Sequence, residues 1–372
     1  MARRAGTSGA TAAGPPFPME VDRVNAPSAF ERLIFRRLPL ACMLLASTAG
    51  IVLGPAWSAR VAALPWIVSL AVVGLPHGAA DLAIARRLGS GPSAVRMFAF
   101  YLAGMAAVFA GFALFPVPLI LLFAAVSVWH FGMGHADGQV PPIQAAVWPR
   151  LRAAVGRGAV VLGVPLACWP AETSAVAQRL VGLAGGDPLS AAGWFAPAAI
   201  RLVGIAILAA TAVAQAAELL AARREPGEIH RSLETLVDTA VIALLGMATD
   251  PLFSVGVYFL VWHAWRHLWL VSPVVTGVRP VDWPSLGRAV ARLHLAALPL
   301  LIPTWAAVLA GWWWLSADHS ARDLAILSLG VYLVVTPSHD LLIDLLRGRP
   351  QTPAEATPRP AIPSSCAARI AC

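Results

Sequence analysis

Nine histidines carry most of the chemical potential of this chain, and five of them lie inside long apolar stretches. His77 sits in VGLPHGAAD, His130 in AVSVWHFGMG, His263 and His267 in YFLVWHAWRHLWL, and His339 in VVTPSHDLLID. Ionisable groups within an apolar span are costly and usually face a bundle interior or a cavity. Neutral imidazole is a good ligand for iron, copper or zinc. His263 and His267 are four residues apart, so on a helix their side chains leave one face a turn apart. That spacing lets a single helix offer two nitrogens to a metal. With His77 and His130 they would form a four-imidazole site. Cys42, Cys168, Cys366 and Cys372 form no close pair, which argues against a structural zinc site and a disulfide framework.

Each of these features has a plainer reading beside it. An intramembrane histidine is often only an interhelical hydrogen-bond partner. The i, i+4 pair could be a packing pair among aromatic side chains, and histidines on partner helices can also bind haem. A metal-bound imidazole usually gives its second N–H to a carboxylate or carbonyl. Asp81, one turn after His77, and Asp340, beside His339, are candidates for that supporting role, as are His339 itself and His135. The two carboxylates could equally cap helices or pair with arginines, and His135 with Asp137 could be a solvated helix end. Arg266, between the paired histidines, is expected to pair with a carboxylate. His294 is a weaker candidate, and His230 and His319 fall in expected loops.

The elements that must position these groups follow from composition. The chain has 372 residues, 58% hydrophobic and 12% charged, with a mean hydropathy of +0.72. Soluble domains carry about 25% charged residues, so this chain cannot cover a water-facing surface. Apolar stretches at about 39–57, 61–85, 96–115, 116–135, 153–170, 196–221, 233–249, 251–273, 289–314 and 321–346 match the roughly 20 residues needed to cross a bilayer. An all-α polytopic transmembrane bundle of nine to ten spans is therefore expected, with an interfacial helix within 171–195. Residues 1–38 and 347–372 read as disordered cytoplasmic extensions, and 39–346 as the transmembrane catalytic domain. The first apolar run lacks an obvious cleavage site and reads as an anchor.

Charge sets the orientation. All 27 basic residues are arginines, giving a net charge of +8. Without lysine there is no Schiff base, which excludes an opsin, and no P-loop lysine. Arginines cluster in alternate connections, as expected for juxtamembrane charge with both termini cytoplasmic rather than for nucleic-acid binding. In that orientation every histidine-bearing span runs inward, and the five histidines share one layer in the cytoplasmic half.

At these residues the sequence resembles the Brp/Blh family of membrane β-carotene 15,15′-dioxygenases. The matching stretches are PHG-x-x-D at 76–81, HFG at 130–132, H-x-W-R-H at 263–267 and PSHD at 337–340. The resemblance spans roughly residues 40–346. It implies an Fe(II) enzyme that cleaves the central double bond of β-carotene with O₂ to give two molecules of retinal. The implied ligands are His77, His130, His263 and His267, four imidazoles that leave positions open for O₂. The segment after His130, GMGHAD, departs from the family's earlier acidic residue. Trp129, Phe131, Tyr258, Phe259, Trp262, Trp265 and Trp269 are candidates to line a tunnel for the polyene. The implied location is the cell inner membrane, with β-carotene and O₂ as substrates, the lipid bilayer as solvent, and a retinal-binding rhodopsin as a candidate consumer of product. The rival readings are a haem-binding electron-transfer protein and a metal or lipid carrier. A di-iron desaturase would need a larger histidine cluster.

Overall fold

The computed structural model describes residues 28–88, 92–134, 147–224 and 228–347, and these form helices with no strand among them. Eleven longer helices run in chain order. They are α1 (Ala29–Leu53), α2 (Leu64–Arg86), α3 (Pro92–Leu114), α4 (Pro116–Met133), α5 (Val147–Cys168) and α6 (Pro170–Leu183). There follow α7 (Pro197–Ala222), α8 (Glu228–Ala248), α9 (251–276), α10 (Trp283–Leu315) and α11 (Ala321–Arg347). A helix covers each of the ten expected spans, and α6 occupies the segment read as interfacial. Eight of them are long and apolar enough to cross a membrane on those grounds alone. The exceptions are α6 and the pair α8 and α9, which bury polar groups such as Asp238, Arg266 and two histidines.

The first helix starts about ten residues before the expected span. Ser28 Oγ accepts from the Glu31 N–H at 3.1 Å, and Glu31 returns a bond to the Ser28 N–H at 2.7 Å. This reciprocal cap satisfies two donors that a helix start leaves open. Arg36 then falls inside the helix rather than before it, because Glu234 at 2.5 Å and Asp238 at 3.1 Å neutralise it from α8. Ile34 and Met43 on the same helix are almost fully buried, so α1 belongs to the bundle.

Two interruptions shape the interior. α2 breaks at Val73 (φ −140°) between the helical segments Leu64–Val72 and Gly74–Ala79, where Pro76 offers no N–H. α9 contains a π-helical stretch, Tyr258–Ala264, between two α-helical parts. Single π turns inside α-helices occur often at functional sites, and this one carries His263. Elsewhere small residues bring backbones together, as is common between membrane helices. A side chain at Gly132 would overlap the Ala154 backbone, and one at Gly204 the backbone of Leu166 and Ala167. α5 is thereby wedged between α4 and α7. The centre of the bundle is aromatic, with Trp66, Tyr258, Phe259, Trp262 and Tyr332 buried beside the histidines.

Candidate metal centre

Four helices deliver the five intramembrane histidines to one place. His77 comes from the broken part of α2, His130 from the last turn of α4, His263 and His267 from α9, and His339 from α11. All five are between 3% and 6% exposed. Ring centroids lie 4.9 Å apart for His77 and His267, 5.1 Å for His267 and His339, and 5.4 Å for His77 and His339. One nitrogen from each of these three falls within 4.8 Å of one from each other. His130 and His263 stand beside them, their Nε2 atoms 2.8 Å apart. The five rings converge, and His339, expected in the surrounding layer, is a member of the tightest group.

The outward nitrogens are held. His77 Nδ1 lies 3.0 Å from the Val73 carbonyl, His130 Nδ1 2.9 Å from Asp340, and His339 Nδ1 2.9 Å from both oxygens of Asp81. Carbonyls and carboxylates only accept, so each bond places the proton on Nδ1 and leaves Nε2 a lone pair. Such outer hydrogen bonds are what orient imidazoles towards a metal. The carboxylates are exchanged relative to sequence order. Asp81 follows His77 but holds His339, and Asp340 adjoins His339 but holds His130. The Tyr101 hydroxyl also bonds Asp81.

The donor set fits a metal ion. His267 Nε2 is buried with no hydrogen-bond partner among the described residues, a costly state that a bound ion would relieve. Two imidazole nitrogens about 2.1 Å from one ion at right angles would be about 3 Å apart, close to the 2.8 Å between His130 and His263. The same distance leaves no room for a porphyrin plane between that pair. Imidazoles without thiolate suit iron, copper or zinc.

A cavity opens beside His77, His130 and His339, lined further by Gly74, Leu75, Gly78, Phe259, Tyr332, Val335 and Thr336. Of the rings expected to line a tunnel, Phe259 lines this cavity, and Trp129, Phe131, Tyr258 and Trp262 make other contacts. Trp129 packs under Arg150 at 4.9 Å, Trp262 under Arg266 at 4.5 Å, and Phe131 meets Tyr258 edge-on at 5.1 Å. Tyr332, Val335, Thr336 and His339 share the 0, 3, 4, 7 spacing of a single helix face, a signal that could have found them from sequence. His135 and Asp137 lie outside the described residues. His230 faces Glu234 at 3.4 Å, His319 stacks on Trp313 at 4.6 Å, and neither approaches the cluster.

Comparison with known proteins agrees with this geometry. Residues 68–347 match the β-carotene 15,15′-dioxygenase family, a stretch that contains all five clustered histidines. A protein of Halobacterium salinarum named "Probable beta-carotene 15,15′-dioxygenase Blh" is 30% identical over 281 residues, covering 72% of this chain and 78% of that protein. No solved structure matches. A polytopic helical chain with buried imidazoles at every motif of the resemblance, matched over most of its length, belongs to the β-carotene 15,15′-dioxygenase family.

Proposed function

We propose that this chain is an Fe(II)-dependent enzyme of the cell inner membrane that cleaves the 15,15′ double bond of β-carotene with O₂, giving two molecules of all-trans-retinal. The observation that carries the reading is the convergence of five buried imidazoles, three with the outer nitrogen already bonded. His77, His267 and His339 would hold the ion as the closest group, with His130 and His263 completing its surroundings. Bound iron would supply the one-electron chemistry through which O₂ reacts with a closed-shell hydrocarbon.

The chain's own groups prepare that site. Asp81, Asp340 and the Val73 carbonyl accept from Nδ1, which fixes the rings in direction and leaves Nε2 as the nitrogen to meet an ion. Phe259 and Tyr332, 4.5 Å apart, wall a cavity of about 20 Å³ beside the imidazoles, room for a molecule the size of O₂. The apolar surroundings keep bulk water from the reacting double bond, and lipid supplies a substrate that water does not dissolve. Cleavage breaks both bonds between the two central carbons and places one oxygen atom on each. No acid or base is needed for that balance. O₂ would be the co-substrate, and the product would suit a retinal-binding rhodopsin.

Expression in cells that make β-carotene tests the reading. Bleaching with formation of retinal is expected, together with iron in the purified protein. Retained pigment, or cleavage only away from the centre, would remove it. A carrier would instead move metal or lipid without consuming oxygen.

A further inference from the structure

We infer that His294, together with Trp305, is a positioning residue for the metal centre: from α10 the two side chains hold the interrupted turn of α2 that presents His77. The inference rests on the metal reading above.

The last carbonyls of any helical segment lack partners within it. In α2 the first segment ends at Val72, one residue before the break. Trp305 Nε1 donates to the Leu70 carbonyl at 2.9 Å, and His294 Nε2 lies 3.1 Å from the Ala71 carbonyl. His294 Nδ1 lies 2.9 Å from Val290 O on its own helix; a neutral ring, with one N–H, donates to one of these carbonyls, and the imidazolium to both. Eleven residues separate His294 from Trp305, three helical turns, so both project from one face of α10. Leu75 and Ala79 of α2 pack against Ala297 and Leu301 of the same face, all nearly buried.

The held carbonyls sit next to the group that directs His77. Two residues after Ala71, the Val73 carbonyl accepts both the His77 backbone N–H at 3.0 Å and His77 Nδ1 at 3.0 Å. If the Ala71 carbonyl is released, the break at Val73 can turn. The Val73 carbonyl then leaves His77 Nδ1, and Nε2 no longer points at His267. His294 thus acts through α2 and touches neither metal nor substrate.

The test compares His294→Ala, His294→Gln, Trp305→Phe and Trp312→Phe in the full chain. Trp312 is the control, because its Nε1 holds Ser320 O at the far end of the same helix at 2.9 Å. Fe(II) affinity after chelation and reloading, KM for β-carotene, and hydrogen exchange of the 70–80 segment in metal-free protein are read. His294→Ala and Trp305→Phe should weaken iron binding about 10- to 100-fold, the usual effect of a lost outer partner, and speed exchange at 70–80. KM should hold, and His294→Gln, which restores a donor towards Ala71 O, should recover much of the affinity. Unchanged exchange and affinity in both His294→Ala and Trp305→Phe overturn the inference, as does equal loosening by Trp312→Phe. Wild-type protein that takes up no metal overturns the metal reading instead, and the exchange comparison then decides the role of His294 alone.

Discussion

Asp81 holds His339 through both carboxylate oxygens, each 2.9 Å from Nδ1, although 258 residues separate the two along the chain. Asp81 is fully buried and lies one turn beyond His77 on α2. A single carboxylate thus ties the second helix of the bundle to the last. Asp81→Ala should lower Fe(II) affinity about 10- to 100-fold, whereas Asp81→Asn, which keeps an acceptor, should lose less. Titration of chelated protein with Fe(II) reads both. Equal affinities in Asp81→Ala and wild type would break the proposed link between that carboxylate and the ion.

His77→Ala and His267→Ala should abolish both iron binding and cleavage while the protein still inserts. His339 separates two roles. The geometry groups its ring with those of His77 and His267, so His339→Ala is expected to lose iron as deeply as they do. Detectable cleavage with iron held about 10- to 100-fold more weakly would return it to a supporting role. Packing histidines would cost only about 1 kcal/mol of helix association and leave the iron unchanged.

Gly78 lines the cavity beside His77, and a Cβ there would meet only Val335 Cγ1, at 3.9 Å. Gly78→Ala should therefore be tolerated. Gly78→Leu fills the small cavity beside His77 and should lower kcat/KM for β-carotene about 10-fold or more, with iron content at the wild-type level. Iron lost in step with activity would show that the leucine disturbs His77 rather than the cavity.

Topology follows from the alternating arginines. Reporter fusions near residue 90, near 225 and after 347 should read cytoplasmic, and one near 250 external. An external C-terminus would require an odd number of spans and would take away the shared depth of the histidines.

Much of this site was legible because depth in a membrane can be counted from the ends of apolar runs. His77, His130, His263, His267 and His339 could be placed in one layer before any helix was packed. Which carboxylate serves which imidazole was not legible. Asp81 beside His77 and Asp340 beside His339 suggest local pairs, but neighbours in sequence on a helix point in different directions. The true partners depend on how α2, α4 and α11 are rotated against one another. The break at Val73 was foreshadowed by Pro76, whereas the π-helical stretch at Tyr258–Ala264 has no comparable signal in residue type. The early start of α1 was hidden because Arg36 and Arg37 read as a cytoplasmic boundary. Charge that looks solvated in sequence is neutralised by Glu234 and Asp238, 198 and 202 residues away in the chain. The cavity wall was missed because Tyr332, Val335 and Thr336 were overshadowed by tryptophans nearer the paired histidines.

The long sequence separations set an order of events during synthesis. His130 waits 210 residues for Asp340, and His339 emerges 258 residues after Asp81. Both latecomers lie near the end of α11, the final helix described. Until α11 joins the bundle, His130 lacks the carboxylate that aims it and Asp81 lacks the imidazole it holds. Capture of the proposed iron would then be a post-insertion step, taken once by a finished bundle rather than gradually by a growing chain. A ribosome that stops a few turns early would leave a protein that is embedded and has no means to fill the proposed site.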